Sequence, residues 1–105
     1  MRLAYSAEAV ADLFRLRAFV SEHDPTAAQR IADELLARVG LLGRFPEMGK
    51  GVVQAPDPEV VRDAIFGRYV VRYSIHPSSI IVLRVWHQLE SRPPESRRSI
   101  PGDAT

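Results

Sequence analysis

The hydrophobic pattern of this chain changes period near Val60. Before it, apolar residues recur at spacings of three and four. After it, they come in short runs rich in β-branched and aromatic side chains. The first region predicts two helices. Ser6 is a candidate N-cap, with Glu8 in the first turn at the positive end of the helix dipole. Val10, Leu13, Phe14, Ala18 and Val20 form an imperfect apolar stripe, which should stop near His23. Asp24-Pro25 restarts the helix, Asp as cap and Pro at the first helical position. Ala28, Ile31, Leu35, Val39 and Leu42 then share one face, until Gly40, Gly43 and Phe45-Pro46 end the run. So short a break predicts an antiparallel helical hairpin.

The second region predicts strands. Val60 to Phe66 reads as one, followed by a turn at Gly67. RYVVRYSI and SSIIVLRVWH flank His76-Pro77-Ser78 and read as a β-hairpin. Met1 to Tyr5 alternates as an edge strand does, and Val52-Val53 is placed as a further short strand after the turn-rich Pro46–Gly51 connector. The order β-α-α-β-β-β predicts an α+β fold, a helical hairpin packed on a mostly antiparallel sheet. Residues 1–90 are expected to form a single domain. The polar segment 91–105 is expected to be a flexible tail.

Composition adds exclusions. The chain has 105 residues, 46% hydrophobic and 26% charged, ordinary for one globular domain. Without cysteine, disulfides, thiolate catalysis and cysteine-zinc sites are excluded. No basic segment leads into a long apolar one at the start, and no run approaches membrane-spanning length. A cytoplasmic location away from membranes is the expectation. The net charge of +1 hides an imbalance: between Arg62 and Arg98 seven arginines face three acids. That bias suits an acidic partner.

Candidate chemistry follows from those arginines. Arg68, Arg72 and Arg84 interrupt the apolar hairpin, and an unpaired arginine is costly to bury, so they are expected on one sheet face or at strand ends. Alternation groups Arg68, Val70 and Arg72, and separately Arg84 with Trp86. Arg62 and the tail residues Arg92, Arg97 and Arg98 extend the set, able to grip carboxylate or phosphate in a fork. These residues are the expected partner- or target-binding group. His87 closes the last strand. It is either a general base or a strand-end histidine bonded to backbone, and the second reading is favoured. His23 and His76 show no partner in the sequence, and no metal site or cofactor is expected.

These segments together resemble the RelE/ParE superfamily of bacterial toxins from type II toxin–antitoxin pairs. The first helix is similar through Ala9, Asp12 and Leu13 of SAEAVADLFRLRAFV, and the second through its Asp-Pro-x-x-Ala start and its exit at Leu42, Pro46 and Gly49. YVVRYSI and IIVLRVWH resemble the last two strands. The likeness is strongest to the ParE branch, whose members act on DNA gyrase. It implies a gyrase-inhibiting toxin of a plasmid-stabilisation kind, with no chemistry of its own, no sequence-specific DNA binding by this chain, and a small acidic antitoxin as partner. Edge residues near Val52 and Val53 would then be interface. The RelE branch, which cleaves messenger RNA on the ribosome, is the alternative. Its candidate catalytic residues here would be His87, at a position where some nuclease members and ParE-like members alike carry histidine, and Arg62, the one basic residue on the strand before the hairpin. Against it, that branch's strand arginine corresponds to Val70, a second basic position falls at Leu89-Glu90, and its paired lysines are missing. A non-toxic antitoxin-binding module is the third possibility.

Overall fold

The computed structural model describes residues 1–57 and 60–90. Strand β1 (Arg2–Tyr5) leads into helix α1 (Ala7–His23) and helix α2 (Ala28–Val39), with a 3-10 turn at Gly40–Gly43. Strands β2 (Lys50–Gly51), β3 (Val61–Phe66), β4 (Tyr69–Ile75) and β5 (Ser79–His87) follow. The sheet order is β1-β5-β4-β3-β2. Three pairings are antiparallel, and β1 lies parallel to β5. The fold is α+β, two helices packed on a mixed five-stranded sheet.

Local chemistry explains the boundaries. Ser6 Oγ accepts from the Ala9 amide at 3.0 Å, capping α1. Asp24 Oδ1 accepts from Ala27 N–H at 3.1 Å, although regular α2 begins only at Ala28. Between β3 and β4 a two-residue turn, Gly67-Arg68, joins the paired Phe66 and Tyr69. Gly67 has φ +62° and Arg68 a negative φ, the arrangement of a type II′ hairpin turn that needs glycine first.

Two sequence expectations require correction. The short strand is Lys50–Gly51 rather than Val52-Val53, with Val52 buried and Val53 82% exposed. The buried stripe of α1 is Ala9, Asp12, Leu16 and Val20, whereas Val10 and Phe14 face outward, Phe14 at 72% exposure. A carboxylate on the inner face displaced the apparent apolar register by about one position. By contrast, α2 buries Ala28, Leu35 and Val39 as its spacing predicts, with Leu42 buried beyond it.

The core lies between the helical hairpin and one sheet face. Leu16, Leu35, Val39 and Leu42 meet Val71, Tyr73, Ile80, Val82 and Val85. Burial of each such side chain stabilises by about 1.5–3 kcal/mol. Tyr73 carries a polar tip into this layer. Its hydroxyl donates to Pro46 O at 2.7 Å and accepts from Gly49 N–H at 2.9 Å, tying the connector to the sheet. A Cβ at Gly49 would stand 2.7 Å from Asp63 O, so this close approach requires glycine.

Candidate functional site

Polar chemistry concentrates where β1 gives out along β5. The β1–β5 ladder ends at Tyr5 and Val82. Ser6 continues it, its amide donating to Val82 O at 2.9 Å and its hydroxyl to Leu83 O at 2.9 Å. Beyond that point α1 supplies side chains where a strand would supply backbone. Val85 N–H donates to Asp12 Oδ2 at 2.8 Å, and Arg15 Nη2 donates to Val85 O at 3.1 Å. Asp12, 1% exposed, also accepts from Arg84 through both guanidinium positions, at 2.7 and 3.0 Å, and from Arg15. Arg15 in turn grips Glu90 at 2.9 and 3.1 Å, while Glu90 Oε1 accepts from His87 N–H at 3.0 Å. Burial alone would raise the carboxyl pKa of both acids. Hydrogen bonds from Arg84, Val85 N–H and Arg15 to Asp12, and from Arg15 and His87 N–H to Glu90, outweigh it and hold both below the usual range.

The arginines expected to form one exposed cationic face are therefore divided. Arg84 is largely buried, its side chain only 12% exposed and its charge answered by Asp12. Arg72 faces away from the helices and makes a two-point pair with Asp63 at 2.9 and 3.0 Å, with its guanidinium 5.2 Å over the Trp86 ring. Arg62 reaches the connector, donating to Gly49 O at 3.0 Å and Glu47 O at 3.4 Å. Arg68 sits exposed in the β3–β4 turn. Arg92, Arg97 and Arg98 lie outside the described residues.

His87 lies on the helix-facing side, 7% exposed, against Tyr69 and Phe19 with ring centroids 4.9 and 5.4 Å away. Its Nδ1 accepts from Leu89 N–H at 2.9 Å, the backbone contact favoured from sequence. Burial and then the nearby Arg68 charge depress its pKa, so the ring is neutral at pH 7. His76 and His23 do have partners, a correction to the sequence reading: Ser74 Oγ at 2.8 Å from His76 Nε2, and Phe19 O at 2.9 Å from His23 Nδ1. Sequence reasoning quoted Asp12 only as part of a family motif and missed Arg15 and Glu90. The signal for Asp12 was an acid standing on the helical spacing of Ala9, Leu16 and Val20.

Concavities flank this network among the described residues. An apolar groove of about 250 Å³ runs between α1 and α2, walled by Val10, Leu13, Phe14, Ala32 and Leu36. A second cleft, of about 260 Å³, opens between α2 and the β3–β4 turn, with His87 in its wall. Among the described residues no cluster of three His, Cys, Asp or Glu side chains is placed to hold a metal ion, and no helix is long and apolar enough to cross a membrane.

A helical hairpin on a mixed sheet, with β1 parallel to the last strand, defines the RelE/ParE toxin fold. The same architecture is seen in the chromosomal ParDE toxin–antitoxin system from P. aeruginosa, with TM-score 0.70, 20% identity, and 83% of this chain and 95% of that one covered. Residues 3–92 match the family of ParE toxins of type II toxin–antitoxin systems, parDE, and the chain belongs to that family. Curated relatives from Caulobacter vibrioides are Toxin RelE1, 38% identical over 83% of this chain and 92% of that protein, and Toxin RelE3, 31% identical over 77% and 87%. The protein is thus a type II toxin–antitoxin toxin.

Proposed function

We propose that this toxin stops growth by binding DNA gyrase, without chemistry of its own, and that a cognate antitoxin neutralises it. The observation that carries this reading is the state of the polar groups. Catalysis of RNA cleavage needs cations around the scissile phosphate and a group that moves a proton. Here Arg84 and Arg72 are engaged by Asp12 and Asp63. His87 is neutral and buried, and its Nδ1 is occupied by Leu89 N–H. A protein-binding poison instead needs exposed anchors. Exposed Arg68 offers one, and half-buried Trp86, with Arg72 stacked on its ring, adds an aromatic surface on the sheet face away from the helices. The apolar groove between α1 and α2 supports the antitoxin half of the reading, because an amphipathic helix fits such a surface.

The test uses purified toxin, gyrase and the antitoxin encoded by the neighbouring reading frame. Toxin should block DNA supercoiling, and stoichiometric antitoxin should restore it. Messenger RNA 5′ ends mapped after induction in cells should not change. The ribosome-dependent endoribonuclease reading is favoured by one observation, that Arg68 and His87 border the same cleft. New messenger RNA ends with gyrase unaffected would establish it. Absence of growth arrest from a folded chain would leave a module that only titrates antitoxin.

A further inference from the structure

We propose that the cleft between α2 and the β3–β4 turn is a carboxylate-binding subsite that receives one Asp or Glu side chain of the antitoxin. Two cations stand at its rim from different elements, Arg38 on α2 and Arg68 in the turn, both exposed. Arg38 Nη1 lies 3.6 Å from where a Cβ on Gly67 would be, so its guanidinium hangs over the turn. Among the described residues neither arginine makes an ion pair. Both are therefore available to a ligand, unlike Arg72 and Arg84.

The cleft wall supplies an independent observation. His87 is 7% exposed, and its Nδ1 is occupied by Leu89 N–H, which leaves the proton of the neutral ring on Nε2. That N–H has no acceptor among the described residues. Buried donors are ordinarily satisfied, and a bound acceptor would satisfy this one. Leu35 and Phe66 line the same space and suit the methylenes of an acidic side chain. Two guanidinium forks and one ring N–H match the acceptor oxygens of a carboxylate. Glu34 also borders the cleft, paired with Arg30 at 3.4 Å, and its charge repels a dianion more than a monoanion. That disfavours phosphate relative to carboxylate.

The proposal rests on the antitoxin reading, and the experiment separates the two. Affinity for the antitoxin is measured for the wild type, for the Arg38→Gln/Arg68→Gln double variant, for Glu34→Gln, and for Arg30→Gln as a control on the same helix. The double variant should bind at least tenfold more weakly, Glu34→Gln a few-fold more tightly, and Arg30→Gln as the wild type does. In ¹⁵N-histidine-labelled full chain, His87 Nε2 should shift on complex formation and, saturably, with sodium acetate at constant ionic strength. Neither shift should appear in the double variant. Wild-type affinity in the double variant with an unmoved His87 signal overturns the proposal and leaves the antitoxin reading standing. If no complex forms, that reading fails, and the acetate titration alone decides the cleft: a saturable shift lost in the double variant upholds it, and silence overturns it. A shift with inorganic phosphate or a short RNA but not with acetate makes this a phosphate site, which also overturns the proposal.

Discussion

Replacing Asp12 by Asn should cost this protein about 3 kcal/mol of stability, a large share of the roughly 5–15 kcal/mol typical of a domain. Asp12 is 1% exposed and Arg84 is nearly as enclosed, with 12% of its side chain accessible. Breaking a buried pair by neutralising one member leaves the other charge uncompensated, at about 3–5 kcal/mol. Asn keeps the shape and one oxygen for Val85 N–H, which places it at the low end. Asp12→Ala also orphans that amide and should lose about 1–3 kcal/mol more. For a domain of this size about 3 kcal/mol lowers the melting temperature by about 12–24 °C. Urea unfolding followed by far-UV circular dichroism at pH 7 measures the loss directly. A double-mutant cycle with Arg84→Met should give a coupling above about 1 kcal/mol. The carboxyl titrates below its ordinary range when folded, so its contribution is complete above the unfolded value of about 3.9 and is lost as pH falls through the folded value. Asp12→Asn should lack that part of the acid limb. A loss under about 1 kcal/mol, the range of an exposed pair, would refute the reasoning.

Tyr73→Phe should cost about 1–3 kcal/mol in the same assay, because Gly49 N–H and Pro46 O would lose their shared hydroxyl partner. Gly67→Ala should cost about 1–3 kcal/mol, since its φ of +62° strains any side chain, and equality with wild type would contradict the turn assignment. His87 is held neutral by burial, so the unfolded chain binds the proton more readily. Stability should therefore fall as pH drops from about 6.5 towards the lower folded value, and His87→Gln should flatten that window in unfolding curves taken from pH 7.5 to 5. Arg84→Glu should unfold the protein by setting a second carboxylate against Asp12, visible as lost far-UV signal. Arg68→Glu, at an exposed turn, should leave melting within about 0.5 kcal/mol of wild type, and so is the arginine reversal that reports on binding.

The sequence disclosed α2, the late hairpin and the α+β order because each rests on a local period that packing did not override. It misplaced the inner face of α1 because the buried position is an aspartate whose partners, apart from Arg15 on its own helix, lie on β5, more than seventy residues away. Arg84 was misjudged for the same reason: the cost of burying an arginine was correctly stated, but the acid that offsets it is distant in sequence. The short strand was set at two β-branched residues, whereas the pairing partners of Arg62 and Asp63 are Gly51 and Lys50. Arg38 was never singled out, since nothing in a helical charge pattern says which arginine will overhang a turn.

Among the described residues the first strand has one neighbour, the last strand, and the helix α1 seals the same edge at Val85. Closure of the sheet therefore waits on nearly the whole described chain. During synthesis β1 and α1 emerge first; their ladder has no partner, and Asp12 has only Arg15 of its own helix, until β5 appears. A chain stopped at the Gly67 turn carries both helices but neither β4 nor β5, and cannot satisfy those groups. Such sequence-distant pairing slows folding, since loop-closure entropy must be met before the contacts form. The folded state is thus tied to the end of the described chain: the edge that β1 and α1 close exists only once β5 is in place.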